Sequence, residues 1–215
     1  MGGKRVPKGY WIPHLDVNDF EGFKTYSRTA DETHKRFGSR LLVRAGRNEV
    51  VEGKMRSRNV LREFESFDAA LACYRSPDYQ RAKLLRQPHS VCDFLIVEGY
   101  DGTQPAQAAT APAPARRKGY WIAHIDLIDP EGYKAYVAAN AAAFGKFAAR
   151  FLVRAGRQDV MEGKQRARAV VLEFPSYDAA LACYRSPEYQ AAAALRRGKA
   201  EVDLVVIEQW EEPNA

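Results

Sequence analysis

His14 and His124 stand in the same local sequence 110 positions apart, each closing a Gly-Tyr-Trp-Ile-x-His run. Downstream of each histidine come an arginine that ends Arg-x-Leu-Val-Arg (Arg44, Arg154) and a glutamate just before a phenylalanine (Glu63, Glu173). Imidazole titrates near neutral pH, so His14 and His124 are the expected acid/base groups of a proton-transfer site. Arg44 and Arg154 could anchor a carboxylate or enolate through paired hydrogen bonds, with Glu63, Glu173, Tyr10 and Tyr120 completing a substrate-binding set. The alternative is a satisfied internal network, because buried polar groups must find partners. The other two histidines have no repeat equivalent: His34 aligns with Phe144 and His89 with Lys199. Asp16 and Asp126 lie next to a helix start and are read as serving local turns.

Other chemistries lack their signatures. There is no G-x-G-x-x-G, no Walker loop, no G-x-S-x-G elbow and no zinc spacing, so neither a metal nor a cofactor is expected. Cys73 and Cys183 are repeat equivalents in a helical pattern, Cys92 stands alone, and no C-x-x-C pair occurs, which reads as buried free thiols. The basic segments 53–58 and 163–168 carry no interleaved aromatics to stack bases, so they read as solvated hairpin tips and not as a nucleic-acid surface. No stretch approaches the length of a membrane span and the N-terminus lacks the apolar core of a secretion signal. The expectation is a cytoplasmic protein without membrane or nucleic-acid partners. Net charge is +6, and residues 1–98 hold 18 Lys/Arg against 13 Asp/Glu while residues 118–215 hold 13 of each.

These residues recur because residues 8–98 and 118–208 are one module written twice without a gap, identical at 47 of 91 positions. A period of 110 residues is too long for a solenoid repeat, so each copy reads as a small domain. The segment 99–117, rich in Ala, Pro, Gln and Thr, reads as a linker able to span roughly 24 Å as a flexible chain. In the second copy an alternating strand stops at Asp129-Pro130-Glu131, an N-cap, a proline at the first helical position and an acidic first turn. A strand over 150–155, a hairpin region over 156–163 and a returning strand over 168–174 follow. Ser176 caps a second helix that restarts at Ser186-Pro187, and a last strand covers 203–207. The order βαββαβ is ferredoxin-like and leaves one sheet face bare, for which the other copy is the obvious cover.

Strand parity then sorts the side chains. Trp121, Ala123, Ile125 and Leu127 suit the helix side, which leaves Tyr120, Ile122, His124 and Asp126 on the other face. The same logic puts Tyr10, His14, Arg44 and Glu63, with Arg154 and Glu173, on that second face. The first copy departs from the second at Pro13, where the second has Ala123, and in a helix that reads RTADETHKR in place of an Ala-rich run.

The Gly-Tyr-Trp strand, the strand ending Arg-Ala-Gly-Arg, the Tyr-Arg-Ser-Pro-Glu-Tyr-Gln break and the final Asp-Leu-Val-Val-Ile-Glu strand resemble the domain-of-unknown-function family numbered 1330. That resemblance implies the dimeric α/β-barrel superfamily: an α+β fold of two tandem ferredoxin-like βαββαβ units pairing their sheets into a pseudo-dimeric barrel. A further homodimer stays open. Relatives in that superfamily include cofactor-independent monooxygenases, muconolactone isomerase-like enzymes, haem-dependent peroxidases, haem-degrading enzymes and ligand-binding regulatory domains, and a shared fold selects none of them. The residues fit best a small-molecule-binding protein doing isomerase or lactone-type proton transfer on an anionic or carbonyl substrate. A non-catalytic ligand-binding module is the first alternative, and a monooxygenase or haem-binding protein the second.

Overall fold

The computed structural model describes residues 6–211; the first five residues, where the N-terminal reading for a secretion signal begins, and the last four lie outside the described residues. The first repeat runs β1 (Gly9–Val17), α1 (Phe20–Arg36), β2 (Arg40–Arg44), β3 (Asn48–Glu52), β4 (Arg58–Phe64), α2 (Phe67–Arg75), α3 (Pro77–Arg86) and β5 (Ser90–Glu98). The second repeats the order as β6 (Gly119–Leu127), α4 (Pro130–Lys146), β7 (Arg150–Arg154), β8 (Gln158–Glu162), β9 (Arg168–Phe174), α5 (Tyr177–Arg185), α6 (Pro187–Ala194) and β10 (Ala200–Glu208). The helix starts follow the sequence signals. Asp129 accepts from the Gly132 amide, and Ser76 and Ser186 each end one helix and cap the next through the amides of Tyr79 and Tyr189.

The hairpin regions hold the main departure from expectation, because each contains a strand. β3 pairs with β10 and β8 with β5, giving two five-stranded sheets ordered β2-β4-β1-β5-β8 and β3-β10-β6-β9-β7. The compact units are therefore not the sequence repeats. The first comprises residues up to Ala45, Arg56–Asp101 and Gly156–Gln165; the second comprises Gly46–Met55, Gly102–Ala155 and residues from Arg166 on. Each unit is a ferredoxin-like α+β domain whose fifth strand comes from the other repeat. Ala45 and Ala155, where the chain leaves for that strand, take the left-handed conformation with φ of 47° and 50°, a sparsely populated region for a residue with a Cβ.

The same crossing accounts for the basic tips. In the first unit Arg56 bridges Asp16 (2.8 Å) and Asp93 (2.6 Å), and the Lys164 amide donates to Asp93 (2.9 Å). In the second unit Arg166 contacts Asp126, Glu201 and Asp203, and the Lys54 amide donates to Asp203. A Cβ on Gly53 or Gly163, both at positive φ, would collide with the Asp203 or Asp93 carboxylate. Asp16 and Asp126 also accept from the amides of Ser57 and Ala167, so they pin the crossover segments and not the local turn expected of them.

In the first unit Trp11 and Leu15 of β1 pack under α1, α2 and α3 with Phe64, Phe94 and Tyr79, and the Trp11 indole donates to Ala70 O at 3.0 Å. Trp121 does the same to Ala180 O in the second unit. Between β1 and β4 the registered pairs jump from Trp11↔Arg62 to His14↔Asn59, whereas β6 and β9 pair without a break through Ile122 and Ala123. Pro13, which has no N–H, sits in that gap. The stretch after Gly102 is not a free coil: Gln104 exchanges hydrogen bonds with both backbone groups of Phe151 (2.7 and 3.1 Å), and the Ala108 amide donates to Gly145 O. Among the described residues no helix is long and apolar enough to cross a membrane.

Candidate functional site

Tyr10, His14 and Glu63, like Tyr120, His124 and Glu173, lie on the sheet face away from the helices. The Tyr10 hydroxyl donates to Glu63 at 3.0 Å, and Glu63 also receives Arg40 at 3.2 Å. Tyr120, Arg150 and Lys118 make the equivalent contacts to Glu173. His14, 3% exposed, lies 2.6 Å from the Asn59 side-chain oxygen. The histidine equivalent to it, His124, is 2% exposed and stands opposite Ala169, so the two imidazoles have different neighbours despite their common sequence. His14 and Tyr10 are four residues apart on one strand, about 13 Å at 3.3 Å per residue, so the histidine and the glutamate of one repeat do not meet.

Arg44 and Arg154 are not on that face. A β-bulge at Leu42, between the pairs Leu41↔Arg62 and Val43↔Leu61, shifts the parity of β2 by one residue, and β7 carries the same shift between Phe151 and Val153. A bulge puts two residues opposite one and turns every later side chain over. Both arginines therefore fall on the helix side.

There Arg44 meets a cleft that the sequence reading missed. It opens between α1 and the sheet of the first unit and is lined by Trp11, Pro13, Phe23, Tyr26 and Phe94, with Asp31, His34, Arg44, Arg58 and Arg62 as its charged or titratable groups. Its interior is about 60 Å³, room for four or five waters at roughly 10–15 Å³ each. An outer bay of about 250 Å³ continues past Phe20, Lys24, Ser27 and Arg28 and shares Asp31, Arg44 and Arg58 with the interior.

Asp31 is the one carboxylate among the described residues that line the cleft, and three cationic or titratable groups hold it loosely. His34 Nδ1 lies 3.6 Å away, Arg62 3.6 Å and Arg44 3.7 Å, all longer than a hydrogen bond. Burial works against the Asp31 anion, but its contacts with His34, Arg44 and Arg62 prevail and its pKa falls below the usual carboxylate range. Burial lowers the Arg62 pKa, and burial with the neighbouring charge of Arg44 lowers that of Arg58. Arg62 is 8% exposed, and it also donates to Ser39 Oγ at 3.0 Å. His34 is driven down to about 4 by burial first and by the two arginines in addition, so its ring is neutral at pH 7. Burial pushes the Cys73 and Cys92 thiols up to about 12, as inert buried residues.

A signal for this cluster was present in the repeat, in the positions that drift and not in those that stay. Asp31, His34, Asn59 and Arg62 align with Ala141, Phe144, Ala169 and Leu172. Four apolar positions of one copy are polar in the other, and three of them line the cleft.

The comparisons with known proteins bear on fold. The profile of the family described as "Domain of unknown function (DUF1330)" matches residues 8–100 and 118–210. No curated protein matches the chain in sequence. A crystal structure of an anthrone oxidase-like protein superposes with a TM-score of 0.55 at 14% identity, covering 99% of this chain and 97% of that one. A mutant chlorite dismutase from Candidatus Nitrospira defluvii superposes with a TM-score of 0.54 at 8% identity, covering 97% and 93%. At such identities the likeness is one of fold alone.

Proposed function

The chain belongs to the DUF1330 family and has the ferredoxin-like fold of dimeric α/β-barrel proteins, and from the cleft's chemistry we propose that its first unit binds a small organic anion or carbonyl compound. One observation carries the reading: three guanidinium groups, Arg44, Arg58 and Arg62, line one aromatic-walled cleft in which Asp31 is the one carboxylate among the described residues. An excess of cations in a partly desolvated site is costly unless an anion joins them, and a planar guanidinium suits a carboxylate or enolate oxygen pair. The walls of Trp11, Phe23, Tyr26 and Phe94 would take the apolar body of such a ligand.

Proton transfer next to a carbonyl, as in isomerase or lactone chemistry, is the reaction we assign to this site. An arginine-stabilised enolate and a neutral imidazole in one cleft are the groups it requires. Titration of the full chain with propionate and benzoate, and with their neutral amides, tests the binding step. The acids should bind and the amides should not. Arg62→Leu, the residue that the second repeat carries at this position, should weaken the acids about tenfold or more. Equal affinity for acid and amide would remove the anion reading, and so would unchanged affinity in the variant.

A further inference from the structure

His34 is the polar side chain of the cleft that its surroundings leave unsatisfied. It is 7% exposed, and neither ring nitrogen has a hydrogen-bond partner among the described residues. Its ring stands edge-on to Trp11 with centroids 5.3 Å apart, which fixes its plane. A neutral imidazole carries one N–H donor and one lone-pair acceptor. Asp31, 3.6 Å from Nδ1, is placed to take the donor with a small movement, which leaves Nε2 to accept. None of the wall's arginine nitrogens is hydrogen-bonded to the ring, and its other polar groups look elsewhere. The Trp11 indole bonds Ala70 O, the Tyr26 hydroxyl lies 3.4 Å from that of Tyr79, and Arg62 donates to Ser39. A buried acceptor without a donor costs about 1–3 kcal/mol, so what enters the cleft should bring a donor with it.

We infer that the cleft selects hydroxy acids or enols: the ligand's carboxylate lies on the arginines and its hydroxyl donates to His34. This rests on the anion reading above and adds to it a specificity-determining residue and a substrate class. The geometry serves chemistry as well as recognition. An imidazole accepting a hydrogen bond from an enol can take that proton, the N–H bond forming as the O–H bond breaks and the electron pair spreading over the enolate. The negative charge then stays on the ligand oxygen beside Arg44 and Arg62. Return of the proton to the enolate carbon, the C–H bond forming as the N–H bond breaks, completes an enol-to-keto isomerisation with no other reactant.

The test compares matched pairs on the full chain, lactate against propionate and 2-hydroxybenzoate against benzoate. In the wild type the hydroxy acid of at least one pair should bind about tenfold tighter or more, and only that acid should shift the ring nitrogen resonances of His34 in ¹⁵N-histidine spectra. His34→Phe reproduces the second repeat's residue at a position where that residue is accommodated. In this variant the two members of a pair should bind alike, so that the ratio of their affinities falls from about tenfold to about one. If both members bind the wild type equally, the hydroxyl selection is overturned while the anion site stands. If His34→Phe keeps the preference, His34 is not its source. If no acid binds the wild type, the anion reading falls and this inference with it.

Discussion

The two units share a scaffold and differ in what lies under their first helix. In the second, Phe144 is 2% exposed and packs on Trp121 at 5.8 Å, on Phe151 at 5.7 Å and against Tyr189, with Leu172 also buried. In the first, the equivalent positions are His34, Leu41, Tyr79 and Arg62, and a cleft remains. The outer side of the helix is treated differently too. A Cβ at Gly145 would strike Ala106 O, so the segment docked on α4 depends on that glycine, and the first repeat has Lys35 in its place. The duplicated domain thus packs Phe144 and Leu172 in one copy where the other carries His34 and Arg62 beside Asp31. Such a replacement lowers stability unless it is retained for a ligand.

Acid should separate the two cores most strongly. An unfolded histidine titrates near 6.5, and His34 in the fold near 4, so between those values the unfolded chain binds the extra proton. Stability contributed by neutral His34 is complete above pH 6.5, declines as pH falls and is fully lost below about 4. The shift corresponds to about 3 kcal/mol. Urea unfolding of wild type and His34→Phe at pH 7.5 and 4.5 measures it, with the carboxylates remote from His34 cancelling in the difference and the same pair in an Asp31→Asn background removing the contribution of Asp31. The variant should gain about 3 kcal/mol relative to wild type on acidification. A constant difference would mean that the two cores titrate alike.

Transplanting the second core into the first gives the next largest effect. Asp31→Ala, His34→Phe and Arg62→Leu together write the second repeat's residues into the cleft. Replacing a buried charged cluster with apolar groups of suitable volume stabilises proteins by about 1–4 kcal/mol, and about 2 kcal/mol is expected here at pH 7. Binding of propionate and benzoate should be abolished in the same protein. A loss of stability would show that the polar set supports the fold, and the contrast between the units would then lose its functional meaning.

How far the sequence reaches can be judged from particular residues. Helix starts at Asp129, Ser176 and Ser186 are local, set by a side chain and the amide three residues on, and they are legible in the sequence. The helix side of β1 followed from alternation through Trp11 and Leu15. The facing of Arg44 did not, because one extra residue at Leu42 inverts the alternation and bulges leave little local signature. Nor did the strands β3 and β8, whose pairing partners lie in the other repeat. Identity between copies selects what both need, and that draws attention to His14, Glu63 and Tyr10. A site held by one copy alone shows as difference, at Asp31, His34 and Arg62.

Pro13 should give the smallest effect of the differences between the copies. Its missing donor interrupts the β1–β4 ladder beside the cleft, where β6 and β9 are continuous through Ala123. Pro13→Ala restores a donor worth about 1 kcal/mol, but it also frees the unfolded chain at a cost of about 0.4–1 kcal/mol. The net change should be within about 0.5 kcal/mol, so the informative measurement is amide hydrogen exchange. The amide that the substitution introduces should be protected to the level of the Ala123 amide, because the strand already has the extended register that its partner in β6 uses. If Pro13→Ala instead destabilises by more than about 1 kcal/mol, the ring is packed into the cleft wall. Proline would then belong to the difference between the units as a shaping residue and not as a tolerated fault.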